Sequence, residues 1–295
     1  YAGNSFDPME FELTDLIRDG LNKLAIQVFK WTSGSWAEDQ DFFRFSGLYR
    51  SVWIYSVPEV HVSDMVVRTI LDDEYKNAEL KLRLDTTATG SALVTLEKLG
   101  RNVFCREVNI EEPGKTEDVT ERNAFSFIVK KPELWSAEEP NLYDLKIEVR
   151  NKDGKTTECI RQKVGFRRFE IVDSIMLING KRIVFRGVDR HDFSALNGRA
   201  LTGDEIRKDL VTMKLNNINA IRTSHYPDCT ELYDLCDEYG IYLIAENNLE
   251  SHGSWDEGLK RGDMSLTVPN CHKEWKPIML DRVNSCYQRD KNHPS

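Results

Sequence analysis

Apolar and polar positions alternate with period two along much of the chain and then change rhythm near residue 168. Leu80, Leu82 and Leu84 alternate with Glu79, Lys81 and Arg83, and Tyr143, Leu145, Ile147 and Val149 alternate with Asp144, Lys146, Glu148 and Arg150. Such alternation predicts antiparallel strands with one wet face. Asn151 to Lys155 supplies a hairpin turn, because Asp153-Gly154 can take positive φ. Residues 60–167 therefore read as an immunoglobulin-like β-sandwich. Upstream, Leu24, Ile26 and Val28 alternate with Ala25 and Gln27, and Ser51 to Val57 reads as a further short strand. This segment resembles the last part of another sandwich, with Trp31, Trp36 and Trp53 expected in its core.

After about Arg168 the order becomes strand, helix, strand, helix. Ile183 to Val188 is an apolar strand, and Thr202-Gly-Asp-Glu205 is a capping box for a helix whose Ile206, Leu210 and Met213 share a face. Ile218 to Arg222 is the next strand. Asp228 with Glu231 is expected to cap the next helix, whose stripe is Leu232, Leu235, Cys236 and Tyr239, ending at Gly240. Ile241 to Ala245 makes a third buried strand, and a last helix spans roughly residues 275–289. Repeated βα units imply a parallel sheet, and a TIM barrel is the first choice, of whose eight units about three are here. Three parallel strands with an open edge would expose apolar surface, so association or disorder is expected after about residue 170.

The length of 295 residues fits about two domains, each able to bury a core. Cys105, Cys159, Cys229, Cys236, Cys271 and Cys286 show no paired spacing and read as reduced, buried thiols. The net charge of -9 argues against nucleic-acid partners, which require clustered Lys and Arg. No leading apolar segment resembles a signal peptide, and no stretch approaches the roughly 20 apolar residues of a membrane span. A soluble, cytoplasmic protein acting on a neutral or cationic small substrate is the expectation.

Candidate chemistry falls at three strand ends: Asp189-Arg-His191-Asp192, Arg222-Thr-Ser-His225-Tyr226, and Glu246-Asn-Asn248 with Glu250-Ser-His252. In parallel α/β folds such residues converge on one face. Imidazoles there can hydrogen-bond substrate hydroxyls and developing charge, and Arg222 can orient carboxylates. The competing readings are hydrogen-bonded structural histidines and a buried salt bridge for Arg222. Glu250 and His252, two apart, could share a cation or form a surface pair on a loop. Glu38-Asp39-Gln-Asp41 reads as a solvated turn or as a hard-cation or sugar-hydroxyl site. His61, His272 and His293 have no supporting partners in the sequence.

Several segments carry a family resemblance: Ser35 to Arg50, Leu134 to Tyr143, Val164-Gly-Phe-Arg167, Ile178-Asn-Gly-Lys181, Arg186-Gly-Val-Asp-Arg-His191, Asn219 to Ile244, and Asp290-Lys-Asn-His-Pro-Ser295. On these the chain resembles the β-galactosidases of glycoside hydrolase family 2, and Glu250-Ser-His252-Gly253 is more typical of that branch than of the similar β-glucuronidases. The resemblance implies the C-terminal part of a jelly-roll sugar-binding domain over residues 1–59, an immunoglobulin-like sandwich over 60–167 and the first units of a TIM barrel over 168–295. It implies that His191 and His225 bind the galactosyl unit and its transition state, that Glu250 and His252 are magnesium ligands, and that Asp41 contacts substrate and helps hold sodium. Arg222 and Glu246 take supporting roles. Asp189 departs from the more usual Asn, and Glu246 lacks the acidic residue that often precedes it.

Retaining glycosidases use two carboxyl groups about 5–5.5 Å apart. By the resemblance, both the acid/base glutamate and the nucleophile lie beyond Ser295, so this chain holds no catalytic glutamate and is expected to be inactive alone. The reading is retaining hydrolysis of terminal β-galactosides such as lactose by the parent protein. Its partners are the substrate, the remainder of the enzyme or a complementing chain, and further copies in a homo-oligomer. The alternatives are a β-glucuronidase, disfavoured by the acidic Asp189, Asp192 and Glu250, and a non-catalytic carbohydrate-binding scaffold.

Overall fold

A computed structural model describes residues 3–111, 123–270 and 272–295, so the thiol of Cys271 lies outside the described residues. After a two-residue strand β1 (Glu38–Asp39), the period-two alternation becomes β2 (Val62–Leu71), β3 (Asn77–Thr86), β4 (Gly90–Lys98), β5 (Arg101–Ile110), β6 (Ala124–Lys130), β7 (Tyr143–Arg150) and β8 (Thr156–Val164). They form two antiparallel sheets, ordered β2-β3-β6 and β5-β4-β7-β8. Leu80, Leu82 and Leu84 of one sheet and Val94, Leu96, Leu145, Ile147 and Val149 of the other are fully buried in a common core. Each such side chain contributes about 1.5–3 kcal/mol through its removal from water. Phe104 and Phe127 stack between the sheets with centroids 4.7 Å apart. The expected hairpin turn joins β7 to β8, with Gly154 at φ +76°.

A small antiparallel sheet follows, β9 (Phe169–Val172), β10 (Ile175–Ile178) and β11 (Lys181–Arg182). Then comes the α/β part: β12 (Gly187–Arg190), α1 (Gly203–Leu215), β13 (Ala220–Thr223), α2 (Thr230–Tyr239) and β14 (Tyr242–Ile244), the strands parallel in the order β12-β13-β14. Strand β15 (Glu250–Ser251) leads into α3 (His252–Arg261), and α4 (Lys276–Asp290) comes last. Ile206, Leu210, Ile221, Leu232, Leu235, Cys236 and Ile241 form the core between helices and sheet. Beyond β14 the ladder is already being extended, since Leu243 N donates to Ser295 O at 2.9 Å.

The capping box of α1 is complete, with Thr202 Oγ1 accepting from Glu205 N and Glu205 Oε2 accepting from Thr202 N. The cap expected for α2 is not there. Cys229 occupies the N-cap position without a side-chain bond, and Asp228 is drawn instead to Arg190, whose Nη1 donates to Asp228 Oδ2 at 2.9 Å. The first parallel strand also starts later than expected. Ile183 and Phe185 pack toward Trp135 and Tyr242, so that apolar run serves an interface between the sandwich and the α/β part. Trp135 is fully buried there, its Nε1 donating to Asp237 O at 2.9 Å.

Gly240 closes α2 at φ +69°, and a Cβ on it would lie 2.5 Å from Ala137 O. Gly240→Ala is therefore expected to cost about 1–3 kcal/mol, read as a lower urea midpoint at unchanged m-value. An unchanged midpoint would show that the loop around Ala137 yields freely.

Residues 1–58 depart most from expectation. Leu24, Ile26 and Val28 lie in chain that forms no ladder, and they are about half exposed. Trp31, Trp36 and Trp53 are exposed, Trp53 to 80%, not in a sandwich core. Strand propensity without a hydrogen-bonding neighbour makes no sheet, and among the described residues this segment pairs only where β1 lies parallel to β15. The thiols also diverge: Cys236 and Cys286 are buried, Cys105 and Cys229 half-buried, and Cys159 exposed on the outer face of β8; all five are unpaired. Among the described residues no helix is long and apolar enough to cross a membrane.

Candidate active site

Parallel register places the three strand ends side by side. Asp189 pairs with Arg222 and Arg190 with Thr223 across β12 and β13, and Arg222 pairs with Ile244 across β13 and β14. The residues that follow leave the sheet on one side. The His191 and His225 rings stand edge to face, centroids 5.7 Å apart. His225 Nδ1 lies 3.2 Å from Glu246 Oε2, and Arg222 Nη2 lies 2.7 Å from the same oxygen. Arg222 also reaches Asp189 at 3.4 Å. Arg222 is partly exposed, so it is not the buried salt bridge of the competing reading. It clamps the carboxylate that faces His225.

Asp41, Glu250 and His252 converge from two separate stretches of chain, their donor atoms within 4.8 Å of one another. His252 Nε2 is 3.0 Å from Glu250 Oε1. His225, Glu246 and Glu250 form an overlapping trio within the same distance. Burial raises the Glu250 pKa, and the facing His225 and His252 pull against it. Glu250 Oε2 is buried with no hydrogen-bond partner. A buried carboxylate oxygen left bare beside an imidazole and a second carboxylate suits a hard divalent cation, so these residues fit magnesium. His191 is pushed down in pKa by burial first and then by the His225 imidazole and the Arg199 cation.

The first-chain segment is held in place by a buried polar cluster that sequence reasoning missed. Glu38 and Gln40, alternating with Asp39 and Asp41, point inward, so the run is not a solvated turn. Asn248 is fully buried, accepting from Gln40 Nε2 at 2.9 Å and donating to Glu38 Oε1 at 2.9 Å. Arg282 Nη1 reaches Glu38 Oε1 at 2.7 Å. Gly253 N donates to Asp39 Oδ2 at 2.5 Å, which fixes the start of α3 beside Asp41. The alternation of the Glu38 to Asp41 run was a usable signal for two faces; nothing in the sequence marked Arg282.

Beneath the strand ends Arg190 is buried among carboxylates, 2.6 Å from Asp192 and 2.9 Å from Asp228. Asp192 also meets Arg50 at 3.1 Å, so it does not face the pocket. Burial, and then the Asp192 charge, push Asp228 up to about 8. A carboxyl whose folded pKa exceeds its unfolded value of 3.8 adds stability at low pH that fades as pH rises toward 8. Relative to Asp228→Asn, the native protein is thus expected to lose stability between pH 4 and 8, measured by urea unfolding across that range. Parallel curves would contradict a buried, protonated Asp228. His293, given no partner from sequence, has one: its Nδ1 lies 2.7 Å from the buried Asp237.

Family models cover the chain almost end to end. The glycosyl hydrolases family 2 sugar binding domain matches residues 1–58, the glycosyl hydrolases family 2 model matches 60–167, and the family 2 TIM barrel domain matches 169–295. The chain belongs to glycosyl hydrolase family 2. Among family 2 relatives it is 47% identical over its whole length to a β-galactosidase of Clostridium acetobutylicum, of which it spans 32%. It is 40% identical to the β-galactosidase large subunit of Lactobacillus acidophilus, spanning 46% of it. Among solved family 2 structures it resembles the β-glucuronidase from Ruminococcus gnavus in complex with D-glucuronic acid, with TM-score 0.71 and 28% identity over 87% of this chain and 39% of that one. The chain thus spans about a third of the length of curated β-galactosidases that it matches. The partial barrel and open sheets are those of a family 2 segment.

Proposed function

We propose that this chain is the part of a retaining β-galactosidase that supplies much of the sugar pocket and a magnesium site. The observation that carries this reading is the convergence of His191, His225, Glu246 and Glu250 at adjacent strand ends in a chain 47% identical to a β-galactosidase along its whole length. His191 and His225 bind the galactosyl hydroxyls and the charge that develops in the transition state. Arg222 holds Glu246 toward His225. Asp41, Glu250 and His252 hold magnesium, which when bound supplies a fixed positive charge near the sugar. Asp41 is also the residue for a sodium ion; it brings one carboxylate, so the other sodium ligands would come from outside this set. The remaining chain, whether in the same polypeptide or a complementing subunit, brings the acid/base and nucleophilic glutamates, and the assembled enzyme is a cytoplasmic homo-oligomer.

A β-glucuronidase is the second reading, favoured by the solved structures it resembles. A uronate needs a cationic contact. Although Asp192 is turned away, Asp189, Glu246 and Glu250 remain around the pocket, and the partly exposed guanidinium of Arg222 is taken by two of these. The test is to assay the natural full-length protein on p-nitrophenyl β-galactoside and β-glucuronide, before and after chelation. The galactoside is expected to be preferred, and EDTA should lower kcat/KM by about 10–100-fold with recovery on magnesium addition. Preference for the glucuronide would sink the galactosidase reading, and indifference to EDTA would remove the metal.

A further inference from the structure

Behind His191, on the side away from His225's carboxylate partners, lies an aromatic and cationic cluster that the reading above leaves unused. His191 Nδ1 is 3.2 Å from the Tyr226 hydroxyl. Tyr226 is fully buried, stacked on Phe6 at 4.2 Å and set edge-on to Phe42 at 5.7 Å. Arg199, itself buried, spreads its guanidinium over these rings, 3.7 Å from the Phe42 centroid and 4.8 Å from that of Tyr226. It forms no ion pair among the described residues. What holds it is the face of the rings, a cation–π arrangement.

We propose that Tyr226, fixed by Arg199, is the positioning residue of His191: its phenol donates to Nδ1 and so leaves the proton of a neutral imidazole on Nε2, facing the pocket. This rests on the pocket being a sugar site, where such an imidazole is a donor to a hydroxyl of the sugar. The direction of the bond follows from satisfaction of buried groups. A phenol with no access to water needs an acceptor for its proton, and Nδ1 is its side-chain partner among the described residues. The opposite polarity, Nδ1–H donating to the phenol oxygen, would leave the O–H without an acceptor. Burial raises the Tyr226 pKa above its ordinary value, so the proton to be donated is retained.

The groups that face the His191 ring agree with a neutral form. Burial is the largest influence, His225 and Arg199 likewise oppose a positive charge, Asp41 and Asp189 favour one, and the net direction is downward. Arg199 thereby has two effects: it pins the ring that carries the donor, and it discourages the imidazolium that would donate from both nitrogens and lose the distinction.

The experiment is 15N solid-state NMR of the natural full-length protein labelled in histidine, with the His191 signals identified by difference against His191→Gln. At pH 7 an unprotonated Nδ1 and a protonated Nε2 are expected. Tyr226→Phe, which keeps the ring and removes the donor, should bring a protonated Nδ1 signal into view and lower kcat/KM on the galactoside by about tenfold, the loss of one hydrogen bond's worth of positioning. Arg199→Lys should shift the same signals in the same direction, as a check that does not touch the hydroxyl. The His293 signal, held by Asp237 and outside the cluster's contacts, reports in each spectrum that the variant is folded. A protonated Nδ1 in the native protein, or a tautomer unmoved in Tyr226→Phe, overturns the proposal. Absence of galactoside hydrolysis with the expected tautomer present would instead sink the assigned activity and leave the positioning intact.

Discussion

Arg282→Leu is expected to lower the unfolding free energy by about 3–5 kcal/mol, because it strands a buried carboxylate. Arg282 is 1% exposed, and its Nη1 binds both Glu38 Oε1 and Asn248 O at 2.7 Å while Nη2 binds Gly3 O at 2.9 Å. Glu38 keeps neutral donors in Ser5 and Asn248. None of these cancels its charge. The consequence reaches beyond stability, since Glu38 lies in β1, one residue before the Asp39 that caps α3 and three before Asp41. Loss of the guanidinium should therefore release Asp41 from Glu250 and His252 and weaken magnesium binding. Urea unfolding gives the first effect and magnesium titration the second. The double variant Arg282→Leu, Glu38→Leu removes both charges and should recover much of the lost stability. A single variant as stable as the native protein would mean that Glu38 is solvated in solution, and the buried cluster would then not be what joins residues 1–58 to the α/β part.

That cluster also marks the limit of what could be read from the chain. The sandwich was legible because Leu80 to Leu84 and Tyr143 to Val149 bury every second residue, and the period alone decides that face. The helices were legible where local chemistry is decisive, as at Thr202 and Gly240. The cap of α2 was misread because a tertiary contact, the hydrogen bond from Arg190, overrode the local preference of Asp228 for a cap. Residues 1–58 carry real strand propensity, but a strand is a property of a pair, and the local sequence does not say where its neighbour is. At the site, His191, His225, Glu246, Glu250 and His252 could be named because strand ends converge by geometry of the fold. Tyr226 and Asn248 stood in those clusters without a role, and Arg199 and Arg282 could not be named at all, since the roles of all four consist of contacts between segments distant in sequence. His293 is the same case: its partner Asp237 sits on α2, 56 positions earlier.

Residues 1–295 produced alone are expected to show no measurable galactoside hydrolysis, at least about 10⁴-fold below the full-length protein, the scale lost when a nucleophile or general acid is removed. The structure supplies the strongest rival to that expectation. Glu246 and Glu250 bring carboxylate oxygens within 4.8 Å of one another, near the spacing of a retaining pair, which is about 5–5.5 Å. Their environments even differ in the right sense, with Glu246 ion-paired to Arg222 and Glu250 raised in pKa by burial. Access decides against Glu250, and two partners engage one oxygen of Glu246. Glu246 Oε2 is held by both Arg222 and His225, Glu250 Oε1 by His252, and Glu250 Oε2 is buried out of reach of a sugar. A nucleophile must present a free lone pair to the anomeric carbon, and a general acid must reach the leaving oxygen. On the proposed function these two carboxylates serve instead as supports and as cation ligands. Chromogenic assay of the isolated chain beside the full-length protein, with Glu246→Gln and Glu250→Gln in each, separates the cases. In the full-length protein Glu250→Gln should raise the magnesium concentration needed for half-maximal activity. Turnover by residues 1–295 that either substitution abolishes would make Glu246 and Glu250 the catalytic pair after all.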